Sequence, residues 1–129
     1  MNKLFGGLFI SLLFISCEGN TSIKFSLLNN TSGALTVYHS DNNTDGLDTS
    51  IVTMGNSYML YEMDLLGGQS QSFLPTEFID TLIVVNANMD TMQKDFTQKP
   101  NWQNQIDELK KFPASWGHEY TLEIRDADF

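Results

Sequence analysis

Three groups of residues in this chain have the type and spacing to do chemistry. Asp41-Asn42-Asn43-Thr44-Asp45-Gly46 sets oxygen donors at alternate positions ahead of a glycine. That is how a loop wraps calcium, with Asp41, Asn43 and Asp45 as ligands and Gly46 permitting the sharp turn. The position due a bidentate Glu holds Val52, so a true EF-hand is excluded, and the same residues are ordinary turn formers. His118 is the second candidate, a general base that an Asp or Glu could complement in a hydrolase. Sixteen acidic residues supply many pairs; Glu62 with Asp64 and Glu119 with Glu123 fall at strand spacing, which suits an outward solubilising face. No Gly-x-Ser-x-Gly elbow is present, and His39 reads as a surface or satisfied ring at a strand end. The third group is aromatic: Trp102, Trp116, Tyr58 and Tyr61 could stack on a sugar. Trp116, in the loop-like context Pro113-Ala114-Ser115-Trp116-Gly117, is expected to be exposed, and Trp102 is expected in the core.

Cys17 is the only cysteine, which excludes an internal disulfide and a cysteine-based zinc cage. Lys3 precedes an uncharged run of twelve residues, Leu4 to Ile15, too short to span a bilayer, which takes about 20. Residues 1–16 therefore read as an export signal. Leu13-Phe14-Ile15-Ser16-Cys17 resembles the cleavage region of a bacterial lipoprotein signal peptide, where a small residue precedes the cut and the cysteine after it is acylated. The resemblance implies a mature chain that begins at lipidated Cys17, with residues 17–22 as a polar tether and residues 23–129 as the folded domain. It also implies a partner, the membrane, reached through the N-terminal lipid. Each buried methylene contributes about 0.8 kcal/mol, so two or three acyl chains hold stably where one would not. Glu18 stands where Asp would favour inner-membrane retention, which implies an outer-membrane lipoprotein of the cell envelope, facing the periplasm or the surface.

Composition narrows the rest. Seven Lys+Arg against 16 Asp+Glu give a formal charge of -9 and a pI near 4.3, which argues against nucleic acid as a partner. With 41% hydrophobic and 12% aromatic residues, the chain can build a core.

The elements that must position these residues are mostly strands. Ile23 to Leu27 and Leu35 to Tyr38 alternate around the turn residues Asn29 to Gly33 and predict a hairpin; Ile51 to Met54 and Tyr58 to Met63 around Gly55-Asn56 predict a second. Leu82 to Val85 is nearly continuous and predicts a strand covered on both faces. Trp102, Ile106 and Leu109 fall at i, i+4 and i+7 between two prolines, which predicts a helix capped by Asn101. Tyr120, Leu122 and Ile124 predict a half-buried closing strand. The fold class expected is mainly β: an antiparallel β-sandwich, immunoglobulin-like or a partly closed barrel, with one short appended helix.

Phe78 to Ala87, followed by Asp90-Thr91 and Trp102, resembles small Bacteroidetes lipoproteins with β-sandwich domains. Asp90-Thr91-Met92 and Asp80-Thr81-Leu82 also resemble the Asp-Ser/Thr-apolar sites of periplasmic O-glycosylation in that phylum, with Thr91 expected to be the accessible one. These readings converge on a lipid-anchored envelope module that binds a glycan or an envelope protein and has no chemistry of its own. The alternative is an envelope hydrolase using Asp/Glu and His118. Calcium at Asp41, Asn43 and Asp45 is the one cofactor suggested.

Overall fold

Alternation of apolar and polar residues is strictest in the first strand, and it organises the rest. The computed structural model describes residues 18–129; Cys17 and the apolar run before it lie outside the described residues. Strand β1 (Asn20–Asn30) buries Thr21, Ile23, Phe25, Leu27 and Asn29 on one face. It begins within the expected tether, so Asn20, Thr21 and Ser22 belong to the sheet. The other strands are β2 (Leu35–Asp41), β3 (Asp48–Val52), β4 (Ser57–Leu66), β5 (Ile79–Val85), β6 (Gln103–Lys111) and β7 (Ala114–Arg125). Four form one sheet in the order β4-β1-β7-β6, and three form a second in the order β3-β2-β5. The two sheets pack as a sandwich without closing into a barrel.

Several expected pairings are corrected. β1 and β2 do not form a hairpin, and neither do β3 and β4; in each case the short connection carries the chain from one sheet to the other. The first crossing turns the buried faces of β1 and β2 toward one core, whereas β3 and β4 bury little more than Val52 and Leu60. The hairpins that do form are β2/β3 and β6/β7. The sheets are not wholly antiparallel, since β1 runs parallel to β7 over ten registered pairs from Thr21/Trp116 to Asn30/Arg125. β5 is covered on one face only: Leu82 and Val84 are buried while Ile83 is exposed. As the edge of a three-stranded sheet, it has solvent on its outer side.

The expected helix is strand β6. It pairs antiparallel with β7 from Gln103/Thr121 to Lys111/Ala114, and the only helical pieces among the described residues are short 3₁₀ turns. Trp102 is buried just before β6, Ile106 is half-buried, and Leu109 is exposed. Leu109 is the extra residue of a β-bulge between Glu108/Trp116 and Lys110/Ser115, and the bulge breaks the alternation that would have marked a strand.

The core centres on Phe25. Its ring stacks on Tyr120 at 4.5 Å, meets Trp102 edge-on at 5.4 Å and touches Phe78 at 5.6 Å. Buried polar residues close the two ends of β1. Thr21 Oγ1 donates to the Gly67 carbonyl (2.7 Å) and accepts the Gln69 amide (2.8 Å). Asn29 Nδ2 donates to the carbonyls of Gly33 and Val52, both at 2.8 Å, while its Oδ1 accepts from the Thr31 amide and hydroxyl. Among the described residues no buried side-chain polar atom lacks a partner, as a dry interior requires. The strand directions separate two ends: residues 18 and 19 with the connections 42–47, 67–78 and 112–113 at the near end, and 31–34, 53–56 and the start of 86–102 at the far end, the later part of that last connection running back beside the core to bond Ser72 through Lys99.

Candidate functional site

His118 comes from the inward face of β7 and is fully buried. Its Nε2 lies 2.6 Å from the Gln69 carbonyl. A carbonyl only accepts, so Nε2 carries the hydrogen, and in the neutral ring Nδ1 accepts from the Tyr120 hydroxyl at 3.0 Å. That hydroxyl in turn accepts the Phe73 amide N–H at 2.8 Å. Burial raises the Tyr120 pKa above its ordinary value, which keeps the phenol protonated as this relay needs. Phe73 packs edge-on against the imidazole at 5.0 Å. The ring is thus a strut that ties the 67–78 connection to the sheet, with no nitrogen presented to a substrate. Glu62, Asp64 and Glu119 point outward and are exposed. Glu123 is half-buried and is occupied by Arg125, Asn30 and Gln103.

The loop of Asp41, Asn43 and Asp45 connects β2 to β3 at the near end. Asp41 Oδ1 accepts the Asn43 amide (2.8 Å) and the Thr44 hydroxyl (3.1 Å), so this oxygen closes an Asx turn. Asn42 bridges to the carbonyls of Thr76 and Glu77, and Gly46 takes a positive φ of 94°. Among the described residues no three His, Cys, Asp or Glu side chains converge as a metal site.

The four aromatic candidates do not assemble into a platform. Trp102 is core, with its indole N–H donating to the Phe96 carbonyl at 2.7 Å. Tyr58 packs against His39 and Tyr61 stacks on Phe78. Trp116 is half-buried within β7, opposite Thr21 and Glu108, and is not in a loop. The sequence window around it holds Pro, Ser and Gly, which read as a loop; Gly117 is instead the position that Leu109 covers from β6.

At the far end three segments surround a polar depression of about 260 Å³, bordered by Thr31, Ser32, Asn86, Asn88 and Asp126. Asp126 Oδ1 accepts from the Ser32 amide and hydroxyl, each at 3.1 Å. Asn86 Oδ1 accepts the amides of Asn88 (3.0 Å) and Asp90 (2.9 Å). Met89 stands at the tip of that turn with φ 67° and 81% exposure, a left-handed conformation that a Met adopts only when its surroundings impose it. Sequence reasoning missed this cluster, although Asn29-Asn30-Thr31-Ser32-Gly33 carried the turn chemistry that builds its first wall. Thr91 lies beside it, exposed and bridged through its backbone to Val85, whereas Thr81 is half-buried in β5. No protein-family model, curated protein or solved structure matches the chain.

Proposed function

We propose that the protein is a lipid-anchored module of the bacterial cell envelope, of the Bacteroidetes lipoprotein type, that binds a polar partner and performs no chemistry itself. The observation that carries this reading is the placement of its two ends. Cys17 immediately precedes the near end of the sandwich, and the hydroxyl-, amide- and carboxylate-bordered depression is at the far end. An acylated Cys17 would hold the near end at the outer membrane and present the far end to a glycan or an envelope protein. The buried, doubly hydrogen-bonded His118 gives the hydrolase alternative no exposed base. Thr91, exposed next to the far-end depression, suits the O-glycosylation reading.

The anchor is tested by metabolic labelling with palmitate. The parent chain incorporates label and fractionates with membranes, and Cys17→Ala incorporates none. Equal labelling of the two would remove the anchor from the proposal.

A further inference from the structure

The near end carries exposed apolar side chains beside unpaired cations, and its position relative to Cys17 gives them a use. One rung crosses all four strands of the larger sheet there. Leu66 pairs with Asn20, the Asn20 amide donates to Ser115 Oγ at 3.3 Å, and Ser115 pairs with Lys110. One step further out, Lys111 pairs with Ala114, and Gly19 packs so closely on the Ala114 carbonyl that any Cβ would collide with it. Beyond that rung the β6/β7 turn, Phe112-Pro113, projects, alongside Gly67 and Gly68 of the 67–78 connection. Phe112 is 81% exposed and Leu66 is 82% exposed.

Two features specify what covers this end. The first is reach. Gly19 is fixed to the sandwich, and only Glu18 separates it from Cys17, two steps that span no more than about 7 Å of extended chain. The second is charge. Lys24, Lys94 and Arg125 are ion-paired, and Lys99 bonds Ser72. Among the described residues Lys110 and Lys111 form no ion pair, on a chain whose formal charge is -9. The exposed carboxylates at this end include Glu18, Asp45, Asp48 and Glu77, on the tether, the 42–47 connection, the start of β3 and the 67–78 connection, whereas the two ammonium groups are those next to Phe112 in the chain.

We propose that the near end is a membrane-seating surface: Phe112 enters the bilayer interface beside the acylated Cys17 while Lys110 and Lys111 contact lipid phosphates. This rests on Cys17 being acylated. An aromatic ring with adjacent basic side chains is what a bilayer interface accepts, because the ring buries apolar surface and the cations meet anionic headgroups. Seating holds the strands upright, so the far-end depression points away from the lipid.

The test uses the full chain, expressed with its leader, extracted from membranes and reconstituted into phosphatidylethanolamine vesicles containing a minority of phosphatidylglycerol. Vesicle flotation reports the anchor, and the emission added by Phe112→Trp, read against the parent, reports seating. The proposal expects flotation, a blue-shifted added emission and strong quenching of it by brominated lipid. With Lys110→Glu and Lys111→Glu the seated population should fall by about fivefold per lysine. A chain that does not float overturns the anchor and this proposal with it. A chain that floats with its added emission unquenched, or blue-shifted but quenched only by aqueous acrylamide, leaves the anchor standing and overturns the seating alone. Quenching by brominated lipid that is indifferent to both lysine substitutions also overturns the proposal as stated.

Discussion

Histidine shows how burial decides a residue's chemistry here. His39, in β2, is only 6% exposed, and its Nε2 lies 2.9 Å from the Tyr58 hydroxyl. Burial lowers its pKa from the usual 6.5, against a smaller upward pull from Asp48 and Asp41. The unfolded ring keeps its ordinary value, so between the two values the unfolded chain binds more protons, and stability rises with pH across that window. The contribution is fully present above 6.5 and is lost as pH falls through it. Urea midpoints should therefore drop between about pH 7.5 and about pH 5.5, and His39→Gln should flatten the slope. An unchanged slope in the variant would remove His39 as its source. His118 illustrates a different limit on reading residues. Its type and its Glu neighbours suggested a base, but whether a base is exposed depends on the 67–78 connection that folds over it, and that connection has no periodicity to reveal where it goes.

The element with the most to test is β6. Trp102 is 6% exposed and wedged edge-on against Phe25, so Trp102→Ala should cost about 3 to 5 kcal/mol, as for other buried aromatics. Trp116→Ala, at a half-buried position near the end of the sheet, should cost clearly less. Urea denaturation of both variants checks the order, and a reversal would make Trp116 the core residue. The strands that enclose the core were legible from sequence because one face is buried and one is wet: β1 and β7 alternate almost without a break. β6 was not legible, for a physical reason. Its nine residues are exposed apart from Ile106, so neither face is compelled to be apolar, and the bulge at Leu109 places three apolar residues at helical spacing by coincidence. Asp107, Glu108, Lys110 and Lys111 on this edge also discourage pairing with another chain. Sheet assignment was hidden as well, because a strand that turns back in its own sheet and one that crosses to the other carry the same alternation. The far-end depression combines segments distant in sequence, and no single window could display it.

For the whole molecule, an acyl anchor at Cys17 would work against the chain's own charge. Removing residues 1–16 takes away Lys3 alone among charged groups and moves the formal charge from -9 to -10. Residues 18–129, without acyl chains, should therefore show no binding to phosphatidylglycerol vesicles in sedimentation at ~0.15 M salt, where screening acts over about 8 Å and two lysines do not offset the general repulsion. Strong sedimentation would mean that the near-end lysines suffice without lipid. The parallel β1/β7 pair has a mechanical consequence. A pull at Glu18 and its reaction at Arg125 act at opposite ends of two strands that run the same way and are joined by ten registered pairs. The load falls along the ladder, so its hydrogen bonds are sheared together and are not peeled apart one by one. Tension between the two ends of the sandwich thus meets the fold along its ten-pair ladder, and separating β1 from β7 requires those bonds to give way as a group.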